Sequence, residues 1–328
     1  MSALLAQAFV SKGHEVAVVT QTPAATASEP SRNYQVLRQP SPQQLMTITA
    51  WCDVFFQNNI SLQGIWPLAL KRKPWIVTHQ TWIARDDGTR NWRDQLKRSL
   101  LPFGTSVAIS PAIASQLPVP SLVIPNPYDE SVFTIDPIIR RDRDLIFVGR
   151  LVSSKGVDLL LEALSALRLK GLRPTTTIVG AGPELDHLKE MAIANSLEDQ
   201  VEFAGKLGGK PLATILSRHR ILVVPSRWQE PFGVVALEGI ACGCAVIGSN
   251  GGGLPDAIGP CGITFENNDS SAMARAIEEL VTNPDRIGAL QKPRQEHLQR
   301  HSSKVIASDY LKLFLSVLGR NGQHNPPI

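Results

Sequence analysis

The chain has 328 residues, 43% of them apolar and 19% charged, with a formal net charge of +4. That length accommodates two ordinary domains, and that composition excludes a mainly disordered chain. No apolar run reaches the ~18 residues that a membrane-spanning helix needs. The opening MSALLAQAFVSKGHEV carries no basic segment ahead of an apolar one, so it does not read as a signal peptide. Cys52, Cys242, Cys244 and Cys261 form no CxxC pair and have no suitably spaced histidine, so they give no zinc signature. A reduced, cytoplasmic protein is the expectation.

In chain order, a helical pattern over 2–11 comes first, and the first strand, EVAVVT, follows at 15–20. DVFF (53–56), WIVTH (75–79) and SVAIS (106–110) read as further buried strands. DLIFVGR (144–150), TTTIVG (175–180), VEFAG (201–205), ILVVPS (221–226) and CAVIGS (244–249) read the same way. These runs are nearly all apolar rather than alternating, which suits parallel strands covered on both faces. Amphipathic stretches at 155–169, 183–195, 210–218 and 232–242 predict helices between them. Strand–helix alternation implies βαβ units, hence an α/β protein with doubly wound sheets.

Residues 127–143 show neither a helix nor a strand period and carry Pro127 and Pro137, so they read as an interdomain linker. The domains are therefore expected at 1–135 and 136–300. A last helix over 302–318, within 301–328, is expected to pack back toward the first domain. The turn-rich tail NGQHNPPI is expected to fray. A Rossmann-like domain normally opens on a strand followed by a glycine-bearing, phosphate-cradling turn. Nothing of that kind precedes residue 15, so the N-terminal domain is expected to lack its first strand, with the true start upstream of Met1.

The richest chemistry lies in ILVVPSRWQEPFGVVALEGIACGCAVIGSNGGGLPDAIG (221–259). A strand, a polar loop carrying Glu230 and a helix beginning near Phe232 follow one another. The first amides of that helix, around Gly233, Val234 and Val235, lack intrahelical acceptors and form an anion site aided by the helix dipole. Glu238, about two turns in, can accept hydrogen bonds from a sugar or ribose diol, and Glu230 can do the same at the other end of the ligand. In FVGRLVSSKGVDLLLEAL (147–164), Arg150 and Lys155 flank the turn after a strand. Two cations at the C-terminal edge of a strand are well placed to neutralise a diphosphate.

These segments resemble the retaining GT-B glycosyltransferases of family 4. Glu230-Pro-Phe-Gly-Val-Val-Ala-Leu-Glu238 matches the family's E-x7-E motif, and Gly149-Arg150-Leu151 with Lys155-Gly156 matches its G-R-L…K-G segment. IVGAGPE (178–184), VEFAG, ACGCAVIGSNGGGLPD (241–256) and VIPNPYDESVF (123–133) match further segments in the same order. The resemblance implies two Rossmann-like domains facing a cleft. It implies transfer of a hexose, with retention, from a UDP- or GDP-sugar to a sugar or lipid-linked acceptor, with front-side attack and the leaving phosphate as base. No metal and no cofactor beyond the donor substrate are implied. Glu238 would bind the donor ribose, Glu230 the transferred sugar, and Arg150 and Lys155 the diphosphate. The amides of Phe232, Gly233, Val234 and Val235 would hold sugar hydroxyls and phosphate. His79, ending WIVTH, aligns with a histidine that faces the donor sugar.

Each residue also has a plainer reading. The carboxylates read as loop and helix-face residues, the cations as solvated turn residues, and His79 as a packed strand-end side chain. GAG (180–182) and GGG (251–253) read as tight turns, and Asp142-Arg143-Asp144 as linker charge rather than a metal motif. An inactive nucleotide-sugar binder, or a GT-B epimerase or phosphorylase, remains as an alternative. Between Lys71 and Arg98 eight Lys and Arg stand against three Asp. Within that run, TRNWRDQLKRSLL (89–101) spaces Trp92, Leu96 and Leu100 at i, i+4 and i+8, a basic amphipathic helix. It is read either as a helix packed on its own sheet or as a peripheral membrane contact. No nucleic-acid motif accompanies the charge.

Overall fold

Apolar runs without alternation have no face to give to water, and each of them pairs in a parallel ladder with its neighbours. A computed structural model describes residues 1–23, 32–83, 89 and 91–322, the side chains of 320–322 excepted. Arg85, Asp86, Asp87 and Arg90 of the basic run, and residues 323–328 of the tail, lie outside the described residues. The chain divides into one unit of Met1–Pro127 with the segment from Ser303 onward, and a second of Tyr128–Ser302.

The first unit contains β1 (Ala17–Thr20), β2 (Gln35–Arg38), β3 (Phe55–Asn58), β4 (Trp75–His79), β5 (Thr105–Ala108) and β6 (Ser121–Val123). Its helices are α1 (Ser2–Ser11), α2 (Pro42–Trp51), α3 (Leu62–Ile65), α4 (Trp92–Leu100) and α5 (Pro111–Gln116). All strand pairs are parallel, but they form two sheets, β1-β2 and β3-β4-β5-β6, rather than one. The segments β2 and β6 escape sequence reading because they are short and only partly buried. DVFF starts two residues early: Cys52 still caps α2, and pairing of Phe55 with Trp75 sets the register that carries β3 on to Asn58.

Local caps explain why these helices start where they do. Ser41 with Gln44, and Asn91 with Asp94, form capping boxes at α2 and α4, and Ser110 accepts from Ile113 N at α5. A cluster of Leu5, Phe9, Ile76, Val107, Ile306 and Tyr310 forms the larger core of this unit. Ile306, Ala307 and Tyr310 of this core come from the C-terminal helix, whose Tyr310 hydroxyl bonds Thr78 Oγ1 at 3.0 Å.

The second unit is one six-stranded parallel sheet of β7 (Arg143–Val148), β8 (Thr176–Val179), β9 (Val201–Gly205), β10 (His219–Val224), β11 (Ala245–Ser249) and β12 (Gly262–Phe265), in the order β12-β11-β10-β7-β8-β9. Around it run α6 (Val157–Leu169), α7 (Leu185–Ala194), α8 (Gly209–Arg218), α9 (Val234–Ala241), α10 (Leu254–Ile258), α11 (Ser270–Thr282), α12 (Pro284–Gln291) and α13 (Arg294–Arg300). The last helix, α14 (Ser303–Gly322), belongs to the first unit. Leu145, Leu160, Leu164, Ile221, Val223, Ile247 and Ile277 are all fully buried between sheet and helices. Each such side chain contributes roughly 1.5–3 kcal/mol.

The segment read as a linker is packed instead. Tyr128 N donates to His301 O, and Arg141 donates to the carbonyls of His219 and Cys242. Buried carbonyls need donors, and a guanidinium supplies several. The division therefore falls after Pro127, ahead of the boundary at 135 taken from composition. The strand order reverses between β7 and β10: from β7 the chain builds outward through β8 and β9, then returns to β10 on the other side. In an open parallel sheet that reversal leaves a crevice at the C-terminal strand ends, where ligands bind.

Candidate functional site

Two loops meet at this crevice, one after β7 and one after β10. The first ends in a 3-10 turn, Ser153–Lys155, followed by Gly156 with φ 68°. A Cβ at Gly156 would lie 2.0 Å from Pro225 O, so only glycine lets the β7 turn sit against the end of β10. This break is also why α6 begins at Val157 rather than at 155.

The second loop is bound to the first. Ser154 O accepts from Arg227 N at 3.0 Å and from Trp228 N at 3.1 Å, and the Arg227 guanidinium bonds Asp158 Oδ1 at 2.5 Å. The result brings Lys155 and Glu230 together: Nζ donates to Oε1 over 2.5 Å. Ser226 Oγ donates to the same oxygen at 2.6 Å. Glu230 is buried, and its backbone is clamped by the glycine turn at 251–253. Its carbonyl accepts from Gly253 N at 2.7 Å, and a Cβ at Gly252, where φ is 69°, would lie 2.2 Å from that carbonyl oxygen. The GGG run thus acts as a tight turn whose close approach holds a candidate site residue.

Next to Glu230 the chain enters α9. Phe232 is buried, its ring 5.8 Å from that of His301, which anchors the loop. Gly233, in the left-handed region at φ 105°, is the N-cap, so the helix begins at Val234, two residues later than its pattern suggests. The amides of Val234 and Val235 head the helix and have no acceptor four residues back, which makes this end attractive to anions. Glu238 is the fifth residue of α9, little more than one turn in rather than two. It is half-buried, and burial first, then the Asp129 carboxylate, pushes its pKa up to about 7. Arg150 is exposed on the other side of the β7 turn.

His79 lies elsewhere, in the first unit. It is 1% exposed, it pairs within the β4–β5 ladder opposite Ala108, and its Nε2 is 3.3 Å from Ser106 Oγ. Burial lowers its pKa to about 4. Arg150, Lys155, Glu230, Glu238 and the 232–235 amides thus all belong to the second unit, and His79 does not.

Three neighbours of the site carry no sequence motif of their own. Ser226 bonds Glu230, Asp129 acts on Glu238, and Asn267, after β12, donates to the carbonyls of Ser226 and Arg227 at 3.4 and 3.3 Å. Asp129 lies within VIPNPYDESVF, but nothing in that segment marked it as a site residue. The D-x-D sequence sits at the opposite, N-terminal end of β7. Asp142 pairs with Arg218, and Asp144 Oδ2 accepts from Thr175 N and Oγ1. Among the described residues no group of three His, Cys, Asp or Glu is placed to hold a metal ion. No helix among them is long and apolar enough to cross a membrane.

Comparison with known proteins places this geometry in a family. The model of the glycosyl transferases group 1 family matches residues 133–300, which span β7 to β12. A glycogen synthase of Mycobacterium tuberculosis is 32% identical over 189 residues, covering 56% of this chain and 44% of that protein. The chain thus spans less than half the length of the curated relatives it matches. Among solved structures, a sucrose-phosphate synthase from Thermosynechococcus elongatus superposes with a TM-score of 0.79 at 21% identity, covering 96% of this chain and 92% of that one. The Anabaena protein HepE, solved in complex with UDP and glucose, gives 0.77 at 16% identity, covering 96% of each chain. At such identities the likeness establishes the fold, two Rossmann-like units of the GT-B type. With just over half of its length matched by the family model, the chain belongs to the glycosyl transferases group 1 family.

Proposed function

We propose that the chain is a retaining glycosyltransferase of the family 4 type, moving a hexose from a UDP- or GDP-sugar to a sugar or lipid-linked acceptor. The observation that carries this reading is the meeting of Lys155, Glu230 and the N-terminus of α9 at the switch point of the second sheet. A diphosphate needs positive charge and free amides, and a sugar needs hydrogen-bonding carboxylates; both are within one crevice. Support also comes from the relatives: HepE was solved with UDP and glucose, and the Mycobacterium tuberculosis protein is a glycogen synthase.

In this reading Arg150 and Lys155 neutralise the leaving diphosphate without a metal ion. Glu238 accepts from the ribose diol, and the amides of 232–235 bind phosphate and sugar hydroxyls. Lys155 leaves its pairing with Glu230 when the diphosphate arrives, which frees Glu230 for the transferred sugar. The acceptor oxygen then attacks from the face that the phosphate leaves, and the phosphate oxygen takes its proton. His79 would contact the transferred sugar, a role that its burial against Ser106 weighs against. A lipid-linked acceptor would bring the protein to a membrane surface.

The test is hydrolysis or transfer across a panel of nucleotide sugars. Lys155→Ala should weaken donor binding, raising KM on the order of tenfold or more, and Glu230→Ala should lower kcat by roughly 10²–10³-fold. Unchanged kinetics in both variants would sink the assignment. The second reading, a nucleotide-sugar binder without turnover, draws on the split of the first unit's strands into two sheets. Calorimetry that shows donor binding by a protein with no turnover would favour it.

A further inference from the structure

We propose that the outer face of the layer formed by residues 62–73 and 92–103 docks on an anionic phospholipid surface. The sequence pattern makes Trp92, Leu96 and Leu100 one apolar face, but the structure splits them. Leu100 and Leu101 turn inward onto Trp75 and Val77, as do Ile65 and Leu68. Both helical segments therefore cover one face of the β3–β6 sheet, since Trp75 and Val77 alternate to the same side.

What remains outside is unusual for a surface. Trp92 is 69% exposed, Leu96 41%, Phe103 80%, and Leu70 69%. Trp92 and Leu96 stand one turn apart on α4, and Phe103 lies exposed in the 3-10 turn that continues it. Meanwhile Asp94 of α4 is turned inward, and Arg98 is tied to Gln116 O at 2.9 Å. The helix thus presents its aromatic side to solvent and part of its polar side to the protein.

Cations border these side chains. Arg93 stacks over Trp92, its guanidinium carbon 5.3 Å from the ring centroid. Lys71 and Arg72 are exposed. The β4–β5 register, Ile76 beside Thr105, sets the chain entering β4 next to the chain entering β5. A Cβ on Gly104 would lie 2.5 Å from the Trp75 ring, so Phe103 and the Lys71–Lys73 run share one edge. Among the described residues of 66–103, Lys71, Arg72, Lys73, Arg93, Lys97 and Arg98 face the single acid Asp94.

Charge complementarity selects the occupant. Single aromatic and aliphatic side chains set among cations suit a bilayer interface. There rings sit at headgroup depth and Lys and Arg meet anionic phosphates. This surface is distinct from the donor crevice, and vesicle binding requires neither donor nor transfer. Failure of the one proposal therefore leaves the other standing.

The experiment is co-sedimentation of the full chain with vesicles of equimolar phosphatidylcholine and phosphatidylglycerol, against vesicles of phosphatidylcholine alone. Binding is expected only to the anionic vesicles, weakening as salt is raised. Trp92→Ala/Phe103→Ala and Lys71→Glu/Arg72→Glu should each lower it on the order of tenfold or more, with unchanged melting temperatures, because all four side chains are exposed. A wild-type protein that stays in the supernatant overturns the proposal, as do double variants that sediment like wild type. If the protein ignores vesicles but self-associates, and Trp92→Ala/Phe103→Ala abolishes that association, the face belongs to a second copy and the proposal fails.

Discussion

Two strand ends marked by polar residues, one in each unit, finish in opposite ways. After β10 the chain leaves the sheet, and Glu230, six residues beyond Val224, reaches Lys155 from the turn after β7. At β4 the polar residue is still inside the ladder: His79 sits beside Ala108, 1% exposed and against Ser106. Glu230 reaches the crevice because the backbone has turned away from the sheet after β10, whereas His79 is still held in the ladder. Gly156 and Gly252 allow that turn in the second unit by admitting backbone where a Cβ would clash.

The sharpest way to break this comparison is to remove the carboxylate. Glu230→Ala should lower kcat by roughly 10²–10³-fold, the scale of losing one group that stabilises developing charge in a desolvated site. Steady-state transfer kinetics check this, and a loss below about threefold would return Glu230 to the status of a loop residue.

Next in size is the glycine that sets the crevice. Gly156→Ala places a methyl 2.0 Å from Pro225 O in a left-handed residue, so the β7 and β10 loops must part. A stability loss of about 1–3 kcal/mol is expected, together with weaker donor binding. Thermal melts and donor titration read the two effects separately.

The third prediction concerns pH. In the folded protein the pKa of Glu238 is raised from 4.5 to about 7, chiefly by burial. A raised acid pKa means that the folded state holds the proton more tightly. The stabilisation is therefore fully present below 4.5 and is lost as pH rises through about 7. Glu238→Gln should remove this dependence and gain on wild type in melting temperature over that range. Donor affinity of wild type should rise through the same window, because a diol donates to the ionised carboxylate. In the variant it should be flat.

The smallest effect separates the two roles open to His79. Its pKa is depressed from 6.5 to about 4 by burial, so the stability of the neutral ring is present above 6.5 and is lost as pH falls through about 4. His79→Asn should flatten that acid branch. It should do so only in part, since buried His219 has the same shift. If transfer at neutral pH survives the substitution, His79 is a packing residue; if transfer is lost with stability unchanged, it contacts the sugar.

Much of the second unit was legible in the sequence. Runs such as DLIFVG and ILVVPS declare themselves as parallel strands because both of their faces must be covered. The spacing of Glu230 and Glu238, and of Arg150 and Lys155, brackets a helix start and a turn. The less legible parts lack a local signal. QVLR and SLV are strands because parallel neighbours take their hydrogen bonds, not because of their own pattern. Ser226 and Asn267 matter only through what the loops bring beside them.

The sequence alone therefore determined the alternating α/β architecture and the spacing of the charged residues proposed to face a donor, since periodicity and motif spacing are properties of short stretches. Tertiary structure decided which of those residues meet. Lys155 and Glu230 are 75 positions apart and pair only through the reversal of strand order at β7 and β10. It also turned Leu100 inward and left Trp92 outside, and packed the supposed linker through Arg141. Such choices depend on which surfaces the rest of the chain leaves to be covered, and no local pattern records that.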